Sequence, residues 1–481
     1  MLSRWLTILL LLTVGMTCAT AQQAEERTFG CRHVAGSGGD ASVQKGYSWQ
    51  RPSVLLGEKH QMVILVDFTD RKFQAENPLA FWDRVFNEEH FSEGRFVGSV
   101  HDYFYDQSYG QFSLWFDLYH VSLNRSYTTY GGAGDSQAGV LLMLLASLVD
   151  EYVADWDLYD WNGDEYIDQI IILYAGKGRN AGGDANTIWP HQWSLNEQGR
   201  SQYEFHSRGY RYIIDRYCCV QELDADGGYG SFGTICHEYS HCFGLPDFYY
   251  DKSTQVVGSW DVMDYGNNNG RGYSPCNFSA HERWLLGWME PTELKEAATV
   301  VGMRPLSERP EAYLVRNDGH EDEYYIVENR QPVGWDAGLP GSGLLVFHID
   351  YDAGKWMKDY PNGEGTTRYS LFAANNMPFV DNQTGWAYPY GENDALTNNT
   401  RPTASLHYLN TTSGSMYMSK PITNIRVEEG RASFDFMGGG PVGVATATAT
   451  GREAQVLYDL GEVSIVRMAD GSVRKVMKRR K

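Results

Sequence analysis

The sequence is poor in long hydrophobic runs, in cysteine and in basic side chains. After the first 21 residues, no apolar run reaches the length of about 20 residues that a membrane-spanning helix needs. Seven cysteines in 481 residues are too few for a disulfide scaffold. Asp and Glu (61) outnumber Lys and Arg (40), so the formal net charge is -21. Because such a surface repels nucleic acid and anionic membranes, we expect neither as a partner.

The first residues have the pattern of a signal peptide. Arg4 precedes an apolar run at 5–16, and the triplet Ala-Thr-Ala follows at 19–21 as a cleavage site. We therefore expect residues 1–21 to be removed and the mature chain to be secreted, with cell-surface association left open. Cys18 leaves a lipoprotein alternative. Without Cys18, six cysteines remain, and the sequence does not determine their pairing.

The chain has two regions with different hydrophobic patterns. Buried-strand and helix patterns alternate in the first half, whereas period-two alternation with turn signals dominates from about residue 291. Since 481 residues exceed what one core usually serves, we predict an α/β (α+β) domain followed by an all-β, sandwich-like domain. The predicted boundaries are a signal peptide at 1–21, a short pro-segment or N-terminal arm at 22–57, the α/β domain at 58–290, the β domain at 291–437, a linker at 438–451, and a short basic segment with a hairpin pattern at 452–481.

The stretch CHEYSHCFGLPDFY, at residues 236–249, has the residue types of a catalytic zinc site. His237 and His241 stand four apart, which puts both imidazoles on one face of a helix. Glu238 can then take the proton of a zinc-bound water without ligating the metal. Gly244 can end the helix in a left-handed conformation, so that Asp247 becomes the third ligand. Three protein ligands leave a fourth position open for the water.

Other interpretations of this stretch stay open. Glu282, in SAHERWLLGW, could be the third ligand instead, although the offset from His241 favours Asp247. The histidine pair could also be accidental or belong to a structural zinc site. A structural site would usually complete its shell with cysteines. Cys236 and Cys242 adjoin the histidines and therefore point to other faces of the helix.

A second segment, at residues 160–168, has the spacing of a calcium loop. Oxygen-bearing groups recur at every second position, as in loops that bind Ca²⁺. Ile171 stands where an EF-hand places its bidentate Glu, so a further ligand must come from Asp155, Asp157 or elsewhere. The alternative is an acidic Asx-type turn before a strand. The predicted calcium ligands are Asp160, Asn162, Asp164, Tyr166 through its carbonyl, and Asp168.

Several blocks of the sequence resemble the immune inhibitor A-like family of secreted bacterial metalloproteases. The pattern HExxHxxGxxD also resembles the zinc signature of metzincin-type peptidases. The resemblance runs from about residue 59 to 437, and it implies a metzincin-like zinc endopeptidase domain at 58–290 with structural calcium. The blocks are KHQMVILVDFTD, GSVHDYFYDQSYGQF, YDWNGDEYIDQIIILYAG, IWPH, HEYSHCFGLPDFY, SWDVMDYG and YYIVENRQPVGWDAGLPGSGLLVFHID.

The resemblance also suggests roles for single residues. Met263 in SWDVMDYG matches the methionine turn beneath the metal, and Tyr265 matches a tyrosine that ligates zinc or supports the oxyanion; an ordinary turn is the alternative. His191 could line the cleft or pack beside a tryptophan. Cys31, in the predicted pro-segment, could hold the open zinc position for latency or form a disulfide. Segment 452–481 resembles the end of bacterial sorting domains.

The predicted function is a secreted zinc endopeptidase that hydrolyses peptide bonds of extracellular proteins, with Glu238 activating a zinc-bound water. The alternative is a catalytically silent, calcium-stabilised binding or adhesion protein on the same scaffold. Retention of Glu238 beside both histidines favours the enzyme. A monomer is the default expectation, because nothing in the sequence indicates an oligomeric state.

Overall fold

The structure is a computed structural model of the chain. It describes residues 55–440 apart from 136, 251–253, 360 and 379, together with three short strands near the C-terminus. The predicted signal peptide, residues 22–54 of the predicted pro-segment and residues 441–451 of the predicted linker lie outside the described residues.

The first half of the described chain alternates strands and helices, as its sequence pattern predicts. The stretch 98–121 runs from a helix into a strand, and Gly110 between them has a positive φ of 74°. The elements are β1 (Gly57–Asp67), α1 (Pro78–Asn87), α2 (Val100–Gln107), β2 (Phe112–Ser122), α3 (Ala138–Val149), β3 (Tyr166–Ile167), β4 (Ile170–Lys177), β5 (His191–Ser194), β6 (Tyr203–Ser207), β7 (Tyr210–Ile214), β8 (Arg216–Leu223), α4 (Ser231–Cys242) and α5 (Ala280–Leu285).

A five-stranded sheet in the order β2-β1-β4-β8-β5 supports the first half. Its pairs are parallel except for the edge strand β5, which runs antiparallel to β8. In β1, Val63 and Leu65 join one buried cluster, whereas Ile64 and Val66 join another on the opposite face. Burial on both faces explains why this strand has a continuous apolar run in sequence. Helix α4 packs against β8 of this sheet.

The second half is rich in β-strands. Two sheets, in the orders β16-β13-β12-β11-β9 and β10-β20-β19, contribute side chains to one buried cluster. That packing is of the kind predicted for residues 291–437, while their status as a separate domain stays a prediction. The elements are β9 (Thr292–Glu293), β10 (Ala298–Met303), β11 (Ala312–Asn317), β12 (His320–Arg330), β13 (Gly343–Asp350), α6 (Ala353–Met357), β14 (Asn362–Gly363), β15 (Thr366–Thr367), β16 (Tyr369–Leu371), β17 (Ser405–Asn410), β18 (Ser415–Tyr417), β19 (Ile422–Glu428) and β20 (Arg431–Phe436).

The largest core cluster crosses the predicted boundary at residue 291. Trp335, from the β-rich half, stacks on Phe232 of α4 with ring centroids 5.9 Å apart. The same indole lies so close to Gly98 that an added Cβ would be 2.6 Å from it, which explains a glycine there. Fully buried Arg330 pairs with Asp336 at 2.7 Å, as a buried charge requires. The β-rich half therefore packs directly on the elements that carry the predicted zinc residues.

Near the C-terminus, three antiparallel strands form a small sheet where the sequence suggested a hairpin. The difference is one additional strand. These strands are β21 (Gln455–Asp459), β22 (Val463–Arg467) and β23 (Val473–Met477). Within the described part of the chain, every helix is too short or too polar to cross a bilayer.

Candidate metal centre

Helix α4 carries the two candidate histidines, and its end turns the chain back toward them. Gly244 has a φ of 88°, a left-handed conformation that glycine adopts without the penalty of a Cβ. Its N–H donates to the carbonyl of His241 at 2.9 Å, which closes the last turn. The reversal brings Asp247, six positions after His241, back against the imidazoles.

Three side-chain atoms converge at one buried point. Nε2 of His237 lies 3.1 Å from Oδ1 of Asp247, and Nε2 of His241 lies 3.4 Å from the same oxygen. The imidazole rings are nearly perpendicular, at 85°. All three side chains are buried, with 5% exposure or less. The sequence-predicted ligands are therefore neighbours in space.

The opposite ring nitrogens are held by backbone carbonyls. Nδ1 of His237 donates to the carbonyl of Val262 at 2.7 Å, and Nδ1 of His241 donates to the carbonyl of Leu245 at 2.7 Å. Because a carbonyl can only accept, both Nδ1 atoms carry hydrogen, and Nε2 of each ring is the nitrogen that can bind a metal once it is deprotonated. This arrangement orients a histidine for metal binding through Nε2.

The electrostatics of the cluster favour a cation. Burial alone would lower the pKa of His241, but the Asp247 carboxylate outweighs burial and raises that pKa to about 10. Burial alone would raise the pKa of Asp247, yet His241 and His237 hold that pKa well below its usual range. A buried carboxylate that stays ionised provides the charge that a metal cation needs.

The geometry fits a tetrahedral zinc ion. With zinc–ligand bonds of about 2.0–2.1 Å, neighbouring ligand atoms of a tetrahedron lie about 3.3 Å apart. The two distances from Asp247 Oδ1, 3.1 and 3.4 Å, bracket that value. Moreover, Nε2 of His237 and Oδ1 of Asp247 are buried without the geometry of a hydrogen bond to the protein. These residues are a suitable three-ligand set for zinc.

Glu238 lies beside the same point. It is fully buried on α4, and one of its carboxylate oxygens lies within 4.8 Å of a ring nitrogen of each histidine. At that range it can contact a water molecule held between itself and a metal. The residue is thus positioned for proton transfer near the candidate metal and need not be a fourth ligand.

The turn SWDVMDYG packs directly beneath the histidines. Val262 supplies the carbonyl that holds His237, and Met263 is fully buried in the core. The carbonyl of Met263 also accepts from the N–H of Phe248 at 2.9 Å, which ties this turn to the loop of Asp247. Tyr265 is half-buried, and its N–H donates to Gly258 at 3.1 Å. The role of Tyr265 stays a prediction.

Glu282 and His191 have other partners. Oε2 of Glu282 accepts the N–H of Ser279 at 2.6 Å, and the Ser279 hydroxyl accepts from the N–H of Glu282, which forms a capping box at the start of α5. His191 lies in strand β5 and contacts the carbonyl of Trp189 at 2.6 Å and the hydroxyl of Tyr217 at 3.0 Å. The contact with Trp189 corresponds to the second interpretation of His191, packing beside a tryptophan.

The cysteines next to the histidines are core residues. Cys236 and Cys242 are buried in the cluster that also contains Phe232. The five cysteines in the described part of the chain carry free thiols: Cys218, Cys219, Cys236, Cys242 and Cys276. Cys31 lies outside the described residues, so its predicted latency role stays a prediction.

Another group of potential ligands lies in the β-rich half, where Glu323, His348 and His407 meet. Oε1 of Glu323 accepts from His348 at 2.8 Å and from the N–H of His407 at 2.5 Å. Its Oε2 accepts from Asn317 at 2.8 Å and from the N–H of Tyr408 at 3.1 Å. Because both oxygens are already saturated, this group is a hydrogen-bond network that fastens β17 to β12.

In the predicted calcium loop, the carboxylates bind backbone amides of the loop itself. Asp160 accepts from the N–H groups of Gly163, Asp164 and Glu165, and Asp164 accepts from Tyr166. Asp168 accepts from the N–H of Trp161 at 2.6 Å. These are the bonds of an Asx-type turn, the alternative that the sequence left open. The three possible metal-binding groups among the described residues do not include this loop, so calcium stays a prediction.

Calcium, if it binds this loop, should raise thermal stability. Ca²⁺ that binds only the folded state would add about 2.7 kcal/mol at a hundredfold excess over its dissociation constant. We expect calcium removal, with zinc saturated, to lower the melting temperature and Asp164→Ala to abolish most of that shift. The matched control is Asp184→Ala, which removes an exposed carboxylate that caps another loop through the N–H of Asn186. A melting temperature that calcium leaves unchanged in the unmodified chain would reduce the loop to an acidic turn.

Two residues near the centre escaped prediction from sequence. Oδ1 of Asp359 accepts the N–H of Asp247 at 2.6 Å, across 112 positions of the chain. Asn362 donates to the carbonyl of Phe248 at 2.6 Å. Neither residue lies in a motif with chemical meaning, and only the three-dimensional contact reveals them.

Comparisons with known proteins indicate a peptidase family. Residues 55–287 match the family model described as immune inhibitor A peptidase M6, catalytic domain. One similar protein is Immune inhibitor A from Bacillus thuringiensis subsp. alesti, which is 24% identical over 269 residues. That alignment covers 46% of this chain and 38% of the relative's length. Residues 55–287 are therefore similar to the catalytic domain of immune inhibitor A peptidases, which supports an immune inhibitor A-like metalloprotease family.

Proposed function

We propose that this protein is a zinc-dependent endopeptidase that is exported and hydrolyses peptide bonds of extracellular proteins. Residues 58–290 would form its catalytic domain, with a metzincin-like arrangement, and residues 291–437 a second, β-rich domain. The proposed zinc ligands are His237, His241 and Asp247, and Glu238 is the proposed general base.

This function rests chiefly on one observation. Two buried imidazole nitrogens each lie within 3.4 Å of the same buried carboxylate oxygen. A glutamate lies next to them. Such a group is costly to bury without a cation, because two basic rings and two acids lose their solvation together. Similarity to a peptidase family makes peptide-bond hydrolysis the reaction that best uses such a cation.

In the proposed mechanism, some residues bind the metal and another transfers a proton. Zinc, when bound, polarises a carbonyl and lowers the pKa of water to about 7. Asp247, His237 and His241 would hold the ion. Glu238 accepts a proton from the attacking water and can return it to the leaving amine. Its burial keeps bulk water away from that transfer.

A catalytically silent binding protein is the less favoured alternative. Loss of catalysis would remove any need to keep a carboxylate at position 238, where its burial has a large desolvation cost. Glu238 is nevertheless present beside both histidines. The combination of base and ligands therefore supports the enzyme.

A metal-replacement assay on the mature chain tests this function. We expect it to digest a denatured protein, to lose that activity with a zinc chelator and to regain it with zinc but not with calcium. Metal analysis should give about one zinc ion per chain, since three ligands meet at one point. Activity that a zinc chelator leaves unchanged, or an active chain without zinc, would contradict the proposal.

A further inference from the structure

The loop of the candidate third ligand is fastened by residues of the β-rich half. Asp247 lies in that loop, and its N–H donates to Oδ1 of Asp359 at 2.6 Å. Asp359 follows α6 and lies outside the segment that matches the peptidase family, which ends at residue 287. The acceptor side chain is only 11% exposed, so water competes weakly for this hydrogen bond.

The next residue of the loop is fastened from the same side. The carbonyl of Phe248 accepts from Nδ2 of Asn362 at 2.6 Å. The ring of Phe248 stacks on Tyr369, with centroids 3.7 Å apart. Asn362 is itself fixed, because its Oδ1 accepts the N–H of Tyr369 at 2.8 Å. The backbone of Asp247 and Phe248 is therefore held by Asp359 and Asn362.

Asp359 lies on the wrong side of the histidine to be a ligand. Its Oδ1 is 3.8 Å from Nδ1 of His241, whereas Asp247 faces Nε2 of the same ring. Nδ1 already donates to the carbonyl of Leu245. Asp359 therefore acts on the metal centre from outside the proposed ligand set, through its hydrogen bond to the N–H of Asp247.

We infer that Asp359 is a positioning residue for the metal centre, and that the β-rich half thereby forms a working part of the peptidase site. Its hydrogen bond to the N–H of Asp247 fixes the loop so that Oδ1 of Asp247 meets both imidazoles. The inference rests on the proposed function, because it takes Asp247 to be the third zinc ligand.

Two substitutions at position 359 distinguish the effect of losing the hydrogen bond from the effect of a changed backbone conformation. Asp359 has a φ of 55°, a left-handed conformation that glycine and asparagine tolerate. Asp359→Gly removes the acceptor, and we expect the zinc dissociation constant to rise about 10- to 100-fold, as is typical when an outer partner of a ligand is lost. Asp359→Asn keeps an oxygen that can accept from the N–H of Asp247, so its zinc affinity should stay much closer to that of the unmodified chain.

The measurement is zinc affinity of the full chain by competition with a chelator of known affinity, together with the visible spectrum after cobalt replacement. Asp352→Ala is the matched control, because Asp352 caps α6 through Gly354 and Lys355 and touches neither histidine. This control should lower stability without changing zinc affinity or the cobalt spectrum. Asp359→Gly should change both.

Three outcomes would overturn the inference. Unchanged zinc affinity in Asp359→Gly, while Asp247→Ala loses zinc, would refute the positioning role and leave the proposed function intact. Zinc loss in Asp359→Asn as large as in Asp359→Gly would refute the hydrogen bond as the cause. Full zinc affinity in Asp247→Ala would overturn the proposed function, and this inference with it.

Discussion

Glu238→Gln should keep zinc and lose hydrolysis. The amide has nearly the same shape as the carboxylate, and Glu238 is not among the three proposed ligands, so the metal should stay bound. The amide cannot accept the proton of the attacking water, and loss of a general base typically costs about 100-fold or more in rate. The measurement is kcat/KM on a denatured protein substrate, alongside zinc content and melting temperature.

Glu222→Gln is a matched control for that substitution. Glu222 is also a buried carboxylate of the peptidase segment, and it accepts the N–H groups of Gln74 and Gly176 rather than facing the histidines. Burial raises the pKa of Glu222 to about 7, so a neutral side chain is already close to its natural state near neutral pH. We expect this variant to remain active. Turnover by Glu238→Gln at the rate of the unmodified chain would remove Glu238 from the mechanism.

Asp247→Ala should lower zinc affinity and activity together. The substitution removes the carboxylate oxygen that lies within 3.4 Å of both Nε2 atoms. Because a lost ligand weakens a metal site more than a lost outer partner does, the loss of affinity should exceed the roughly 10- to 100-fold typical of outer partners. Chelator competition measures the affinity, and activity at saturating zinc shows how much of the lost rate is a loss of metal.

Comparing Glu282→Gln with Asp247→Ala discriminates between the two candidate third ligands. Glutamine can preserve the capping box with Ser279, so α5 should keep its start. Burial raises the pKa of Glu282 well above its usual value, so a neutral amide should be tolerated at that position. We expect zinc content in the folded fraction to be unchanged. Zinc loss in Glu282→Gln with zinc retained in Asp247→Ala would assign the third ligand to Glu282.

Much of the fold follows from local sequence patterns. The apolar run at Met62–Phe68 indicates a buried strand, and β1 covers all of it except Phe68. The helical spacing of apolar residues at Ala138–Val153 indicates a helix, and α3 begins at Ala138 and ends four residues earlier, at Val149. These predictions succeed because hydrophobic periodicity reports which face of each element is buried. Near the C-terminus the sequence indicated a hairpin, whereas the structure has a third strand there. Mixed α/β architecture was thus predictable, whereas the packing of the two halves was not.

The sequence by itself determined the short-range part of the candidate centre. The four-residue spacing of His237 and His241 places both imidazoles on one face of α4, and Gly244 ends that helix, because helix geometry and left-handed φ act over a few residues. Only the tertiary structure decided which carboxylate meets them, since Asp247 and Glu282 were both candidates in sequence. The backbone N–H of Asp247 donates to Asp359, 112 positions away. A contact across such a distance depends on how two sheets and a shared core pack, and no local pattern encodes that packing.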